Sequence, residues 1–174
     1  MTKIAEELLI EYARTASEIR GFSEEYRWLS NFYEVIPFVH DGIEYKTTEN
    51  FYQAMKTLDK NLRIHIAGLT PGQAKRFGNP ENKKIVLRED WLDVKYHVME
   101  FALRQKFSQD KFKDFLLSTR DIYIEETNTW NDIFWGCTPE GEGENNLGKL
   151  VMQLRKELQD GIMLIDLIDE NLMF

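Results

Sequence analysis

Apolar residues in this chain return every three or four positions in several separate stretches, while alternation is confined to a few short ones. Trp91, Val94, Val98, Phe101 and Ala102 share one helical face after Asp90, which is placed to cap them. Leu147, Leu150, Val151, Leu154 and Leu158 form a second stripe, capped by Asn145 or Asn146 and closed by Gly161. A period near 3.6 marks amphipathic helices and leaves little chain for a large sheet. Further helices are expected over 2–20 (Ile4, Leu8, Tyr12, Ala16 and Ile19 inward, Gly21 as the stop), over 61–67, and from Ser108 with Phe112, Phe115 and Leu116 inward. Thr70-Pro71-Gly72-Gln73 reads as a capping box opening a helix that ends at Gly78, with Asn79-Pro80 as a breaker. Short strands are expected at 35–39, an edge because of Pro37, at 43–46 across the Asp41-Gly42 turn, and at 122–125. The stretch from Trp130 to Asn146 reads as a loop. The fold class is α+β, a mostly helical single domain with a few short strands. An amphipathic helix over 1–21 precedes the main domain at 22–158, and an apolar tail at 159–174 packs on it.

The chain has 174 residues, 43% of them hydrophobic and 13% aromatic, enough for one domain with a sizeable core. Its single cysteine, Cys137, excludes an internal disulfide and suits a reducing cytosol. There is no leader signature and no run of about 20 apolar residues, so a cytoplasmic protein with no membrane partner is expected. A net charge of −8 argues against a broad nonspecific nucleic-acid surface but leaves room for one local basic pocket.

The segment Thr47-Thr48-Glu49-Asn50-Phe51-Tyr52-Gln53-Ala54-Met55-Lys56 holds the best candidate chemistry. With Thr48 as N-cap, Glu49, Gln53 and Lys56 stand at i, i+4 and i+7 on one face, and Phe51, Tyr52 and Met55 lie on the other. An acid, an amide and an amine over two turns read either as an active-site edge or as a solvated face. The three histidines, His40, His65 and His97, lack ligand spacing, so neither a metal nor a cofactor is expected. Cys137, with no histidine close in sequence, reads as an inert thiol. The glycines of 141–148 lack the Gly-Lys-Ser/Thr ending of a phosphate loop, and no clear strand precedes them, which excludes Walker and Rossmann readings. They remain a loop feeding a helix N-terminus, able to meet an anion or simply to connect. Trp135 is the best candidate for a ligand wall, Trp91 reads as core, and Lys75 and Arg88 are candidate phosphate contacts. A glutamate beside an apolar wall can act as acid or base, and a desolvated lysine can attack a carbonyl to form a Schiff base.

The order of motifs says more than any one of them. The chain reads Leu29-Ser30-Asn31-Phe32-Tyr33, Pro37-Phe38, Asp41-Gly42, then Tyr45-x-Thr47-x-Glu49-x-Phe51-Tyr52-Gln53-Ala54-x-Lys56. It continues Ala74-Lys75-x-x-Gly78, Arg88-x-Asp90-Trp91-x-x-x-Lys95-x-x-Val98-Met99, and closes Trp135-Gly136, Gly141-x-Gly143-x-Asn145-x-Leu147-Gly148 and Met152-x-x-Arg155. This set resembles the YbiA-like, or NADAR, family from about Phe22 to Glu157. The resemblance implies a compact α+β domain with N-glycosidase activity. Its substrate would be ADP-ribosylated guanine, in a nucleoside or a nucleic acid, or else a ribosylated base phosphate of riboflavin biosynthesis. A module that binds ADP-ribose or NAD without cleaving it is the alternative. Carried over by motif position, Glu49 is the acid or base and Lys56 the amine, with Lys95 the second candidate nucleophile. Asn31, Phe32, Tyr52, Gln53, Arg88, Trp91, Lys95, Trp135, Gly136 and Asn145 are then the substrate-binding set, Arg88 lying near phosphate. Three departures bear on substrate preference: Asn50 where the family usually has histidine, Gly78-Asn79 where Gly-Arg is common, and Cys137 where some members have aspartate.

Overall fold

Helical periodicity wins over most of the chain in the computed structural model, which describes residues 3–79 and 81–168. The expectations placed on residue 2, Pro80 and the tail beyond Ile168 fall outside the described residues. The described chain divides into two compact units: residues up to Ser30 with Phe107–Leu167, and Asn31–Lys106 with Ile168.

In the second of these units the Asp41-Gly42 turn joins β2 (Phe38–His40) to β3 (Ile43–Tyr45) as an antiparallel hairpin, with Phe38 opposite Tyr45. Asp41 and Gly42 both have positive φ, the requirement of a two-residue turn that matches strand twist. The regular strand starts at Phe38, later than the expected residue 35, because Pro37 has no N–H to give to a ladder, while the Val35 N–H still reaches Lys46 O at 3.0 Å. Then follow α2 (Thr48–Ala54), α3 (Lys60–Ala67), α4 (Pro71–Phe77) and α5 (Trp91–Phe107). The capping box of α4 forms as read, Thr70 and Gln73 each satisfying the other's backbone N–H. Asp90 precedes α5, but its carboxylate accepts from Arg88 instead of capping the helix. The core centres on Phe51, fully buried, with ring centroids 5.1 Å from Tyr45, 5.4 Å from Phe38 and 5.1 Å from Phe101. The α5 stripe delivers Phe101 to it, and Val98 and Ala102 of the same stripe are buried.

The other unit holds α1 (Lys3–Thr15), β1 (Glu18–Arg20), α6 (Asp110–Ser118), β4 (Tyr123–Glu125) and α7 (Asn146–Gln159), with a 3₁₀ turn at Glu24–Leu29. Trp28 packs against Phe115 at 5.4 Å and Phe107 at 6.5 Å. The helix expected over 2–20 stops at Thr15, whose hydroxyl turns back onto the carbonyls of Glu11 and Tyr12. Residues 18–20 instead pair in parallel with β4, which buries Ile19, and the Gly21 N–H extends the ladder to Glu125 O at 2.9 Å. The inward face of α1 is also corrected. Two apolar sets at helical spacing compete, and Ala13 with half-buried Ala5 and Leu9 turns inward, leaving Ile4, Leu8 and Tyr12 exposed at 71%, 55% and 53%. Glu6 on the inward side pairs with Lys111 of α6 at 3.3 Å. That helix begins at Asp110, two residues after the expected Ser108.

Candidate functional site

The N-cap of α2 is Thr47, one residue earlier than read, and its hydroxyl accepts the Asn50 N–H at 3.0 Å. The Glu49 N–H, left free by the helix start, donates to Asn31 O at 3.0 Å. Asn50 clamps the helix in place: its Nδ2 donates to Ile66 O and Leu69 O, both at 2.8 Å. All seven residues of α2 are buried, with Glu49 and Gln53 only 6% and 5% exposed, so this face is not the solvated one. Helical spacing does bring the acid and the amide together, Gln53 Nε2 donating to Glu49 Oε1 at 2.8 Å. It does not place Lys56. The helix ends at Ala54, and Lys56 lies in the turn beyond the C-cap, its N–H on Gln53 O at 3.3 Å.

From that turn the Lys56 amine donates to Gly78 O at 2.8 Å, at the C-terminus of α4. Its Nζ stands 5.6 Å from the Tyr52 ring centre and 5.8 Å from that of Trp91, and these two rings meet edge-on at 5.1 Å. The rings favour a cation between them. The carboxamide thus pairs with the carboxylate while the amine is held by Gly78, which the sequence marked as a helix stop and as one position of the ordered motif set. No local pattern reveals a partner 22 residues away.

The remaining candidates of this unit lie as follows. Asn31 Nδ2 contacts Met99 Sδ at 3.5 Å, and its Oδ1 is buried with no hydrogen-bond donor. Phe32 is half-buried, with Lys75 Nζ 5.8 Å from its ring centre. Arg88 is buried, donates its backbone N–H to Lys56 O at 2.8 Å, and holds Asp90 through Nε and Nη2 at 2.6 and 2.8 Å. Its Nη1 is buried and unpartnered. Asp90, pulled by that guanidinium, titrates below the usual carboxylate range. Trp91 is buried, and half-buried Lys95 follows one turn later on α5.

Trp135, Gly136 and Asn145 belong to the other unit. Trp135 is buried, its N–H on Asp132 Oδ1 at 2.9 Å and its ring edge-on to Phe134 at 4.9 Å. Gly136 accepts the Asn145 N–H at 3.3 Å. Asn145 does sit at the N-cap of α7, but in left-handed backbone (φ 50°, ψ 40°) and without a capping side-chain bond. Its carboxamide turns to β4 and the residue after it: Nδ2 donates to Ile124 O at 2.9 Å and to the Tyr123 hydroxyl at 3.2 Å, and Oδ1 accepts Glu126 N–H at 3.1 Å. Cys137 is buried, and burial pushes its thiol pKa up. Among the described residues no group of three or more His, Cys, Asp or Glu side chains is gathered for a metal, and no helix is long and apolar enough to cross a membrane.

The fold and this arrangement define an α+β protein in which a buried acid and amide are bonded to each other and a half-buried amine is held at the end of a neighbouring helix. Residues 18–159 match the NADAR domain model, and the chain belongs to that family. It is 34% identical to the N-glycosidase YbiA of Escherichia coli over 157 residues, 89% of this chain and 91% of that one. The solution structure of E. coli YbiA superposes with a TM-score of 0.71, covering 86% of this chain and 92% of the other. A riboflavin biosynthesis protein of Vibrio vulnificus is 33% identical over 138 residues, 79% of this chain but 37% of that longer protein.

Proposed function

We propose that this chain is an N-glycosidase hydrolysing the bond between ribose and a nitrogenous base, with ADP-ribosylated guanine as its substrate. The observation that carries the reading is the buried Glu49–Gln53 pair together with the Lys56 amine held on Gly78 O beside the Tyr52 and Trp91 rings. The N-glycosidase name of YbiA supports N-glycosyl hydrolysis over most of both chains, and the choice of ADP-ribosylated guanine is drawn from the family resemblance.

As the C1–N bond breaks, the base leaves with the bonding electron pair and takes a proton, while positive charge builds on the sugar. The Glu49 carboxylate stabilises that charge, takes a proton from the water that adds to C1 and passes it on to the departing base. In the covalent variant the sugar ring opens, the Lys56 amine adds to C1 and expels the base with the C1–N electron pair to leave an imine, and water then adds to the imine carbon and releases the amine. Tyr52 and Trp91 supply flat faces for a base, and Arg88 supplies a guanidinium for phosphate if its pairing with Asp90 opens.

A second reading, hydrolysis of aminopyrimidine ribose phosphates, draws on the likeness to the Vibrio protein. One experiment separates the readings: the protein is incubated with ADP-ribosyl-guanosine, ADP-ribosylated single-stranded DNA or an aminopyrimidine ribose phosphate, and the freed base is measured. Release from the first two supports the proposal, and release from the third alone selects the second reading. Recovery of every ligand intact, with measurable affinity, makes the protein a reader. Glu49→Gln and Lys56→Met are expected to abolish turnover without unfolding the protein, and full activity in both refutes the assigned roles. Borohydride added during turnover traps a Lys56 adduct only if the imine forms.

A further inference from the structure

Gly78 is a glycine where the backbone needs none. Its φ of −80° and ψ of 7° are open to any L-residue, and its N–H closes α4 on Ala74 O at 2.9 Å. What excludes a side chain is space. A Cβ at this position would lie 1.9 Å from Gln53 Oε1, 2.9 Å from its Cδ and 3.2 Å from its Cβ. The hydrogen that occupies that direction instead faces Gln53 Oε1, a buried acceptor with no conventional donor, and offers it a weak C–H···O contact. The orientation of the Gln53 amide follows from its other end, since only the NH₂ group can face the Glu49 carboxylate. The carbonyl of the same glycine accepts the Lys56 amine at 2.8 Å.

We propose that Gly78 is a positioning residue of the glycosidase site. Its bare Cα sets the Gln53 carboxamide and through it the Glu49 carboxylate, and its carbonyl sets the Lys56 amine. The inference rests on the roles given above to Glu49 and Lys56. Gly78 acts only through these neighbours: adding one methyl group pushes the Gln53 carboxamide aside, breaks its bond to Glu49 and shifts the carbonyl under Lys56.

The test is a double-mutant cycle of Gly78→Ala and Gln53→Ala, with Glu49→Gln beside it, on whichever substrate the wild type hydrolyses. Each single variant is expected to lower kcat on the order of ten- to a hundred-fold, the worth of one hydrogen bond to a charged group, with KM changing far less. The double variant should be no slower than Gln53→Ala alone, because the added methyl then meets no carboxamide. That variant also removes the two closest contacts, leaving only the residue-53 Cβ at 3.2 Å, should Gly78→Ala fold poorly. A second readout needs no substrate: the Gln53 side-chain NH₂ signals in ¹H–¹⁵N spectra should shift in Gly78→Ala. Unmoved signals, additive losses in the cycle, or wild-type kcat in Gly78→Ala while Glu49→Gln is inactive each overturn the positioning role. Full activity of Glu49→Gln overturns the proposed function instead.

Discussion

Replacing Asn145 separates a backbone effect from a side-chain effect at one position. The residue is 3% exposed, sits in left-handed backbone, and ties Ile124 O, the Tyr123 hydroxyl and the Glu126 N–H to the start of α7. Alanine deprives Ile124 O and Glu126 N–H of this partner, at about 1–3 kcal/mol each. It also holds a Cβ in the left-handed region, where asparagine is tolerated, at roughly 1 kcal/mol more. The sum is about 3–7 kcal/mol, a large part of the ~5–15 kcal/mol that holds a typical domain together. Glycine loses the same bonds but escapes the Cβ strain, so Asn145→Gly should be about 1 kcal/mol more stable than Asn145→Ala. Aspartate keeps the acceptor for Glu126 N–H but sets a carboxylate oxygen against the Ile124 carbonyl, and should lose at least as much as glycine. Urea unfolding followed by tryptophan fluorescence, with linear extrapolation to water, measures all three. An alanine variant within 1 kcal/mol of wild type, or one more stable than the glycine variant, refutes the reasoning.

Phe51→Ala should cost about 3–5 kcal/mol in the same assay, since it opens a void among Phe38, Tyr45 and Phe101 directly beneath Glu49 in sequence. Burial lowers the pKa of His40, with Asp41 opposing and Arg63 adding, so the unfolded chain takes up this proton at higher pH than the fold does. Its contribution to stability is therefore whole above about pH 6.5 and lost as pH falls through the lower folded value. His40→Gln should show a smaller drop in Tm between neutral and mildly acidic buffer than wild type, and an equal drop counts against this account. Iodoacetamide should leave Cys137 unmodified in the folded protein at neutral pH and label it in urea, because burial both covers the thiol and raises its pKa. Labelling at equal rates in the two states would remove both causes.

Where a signal was local, the sequence carried it. The stripes of α5 and α7, the Thr70 capping box and the Asp41-Gly42 turn are each written within a few neighbouring residues, and all formed where expected. The pairing of Glu49 with Gln53 was legible for the same reason, being one helical turn apart. Lys56 was identified, but its path was not, because a seven-residue helix ends before reaching it and Gly78 is distant in sequence. In α1 the apolar residues populate two faces, so periodicity alone could not choose which one turned inward. The pairing of β1 with β4 left no trace either: two three-residue strands are too short to alternate, and nothing in one names the other.

That parallel pair sets a schedule for the chain as it is made. Arg20 and Glu125 are 105 positions apart, so β1 emerges from the ribosome and then waits about 5–20 s for its partner at ordinary synthesis rates. During the wait the uninterrupted stretch from Asn31 to Lys106 has every hairpin and helix of its own aromatic cluster in hand. Maturation is therefore ordered from the middle outward, with the segment bearing Glu49 and Lys56 assembled while the two ends of the ladder are still strangers.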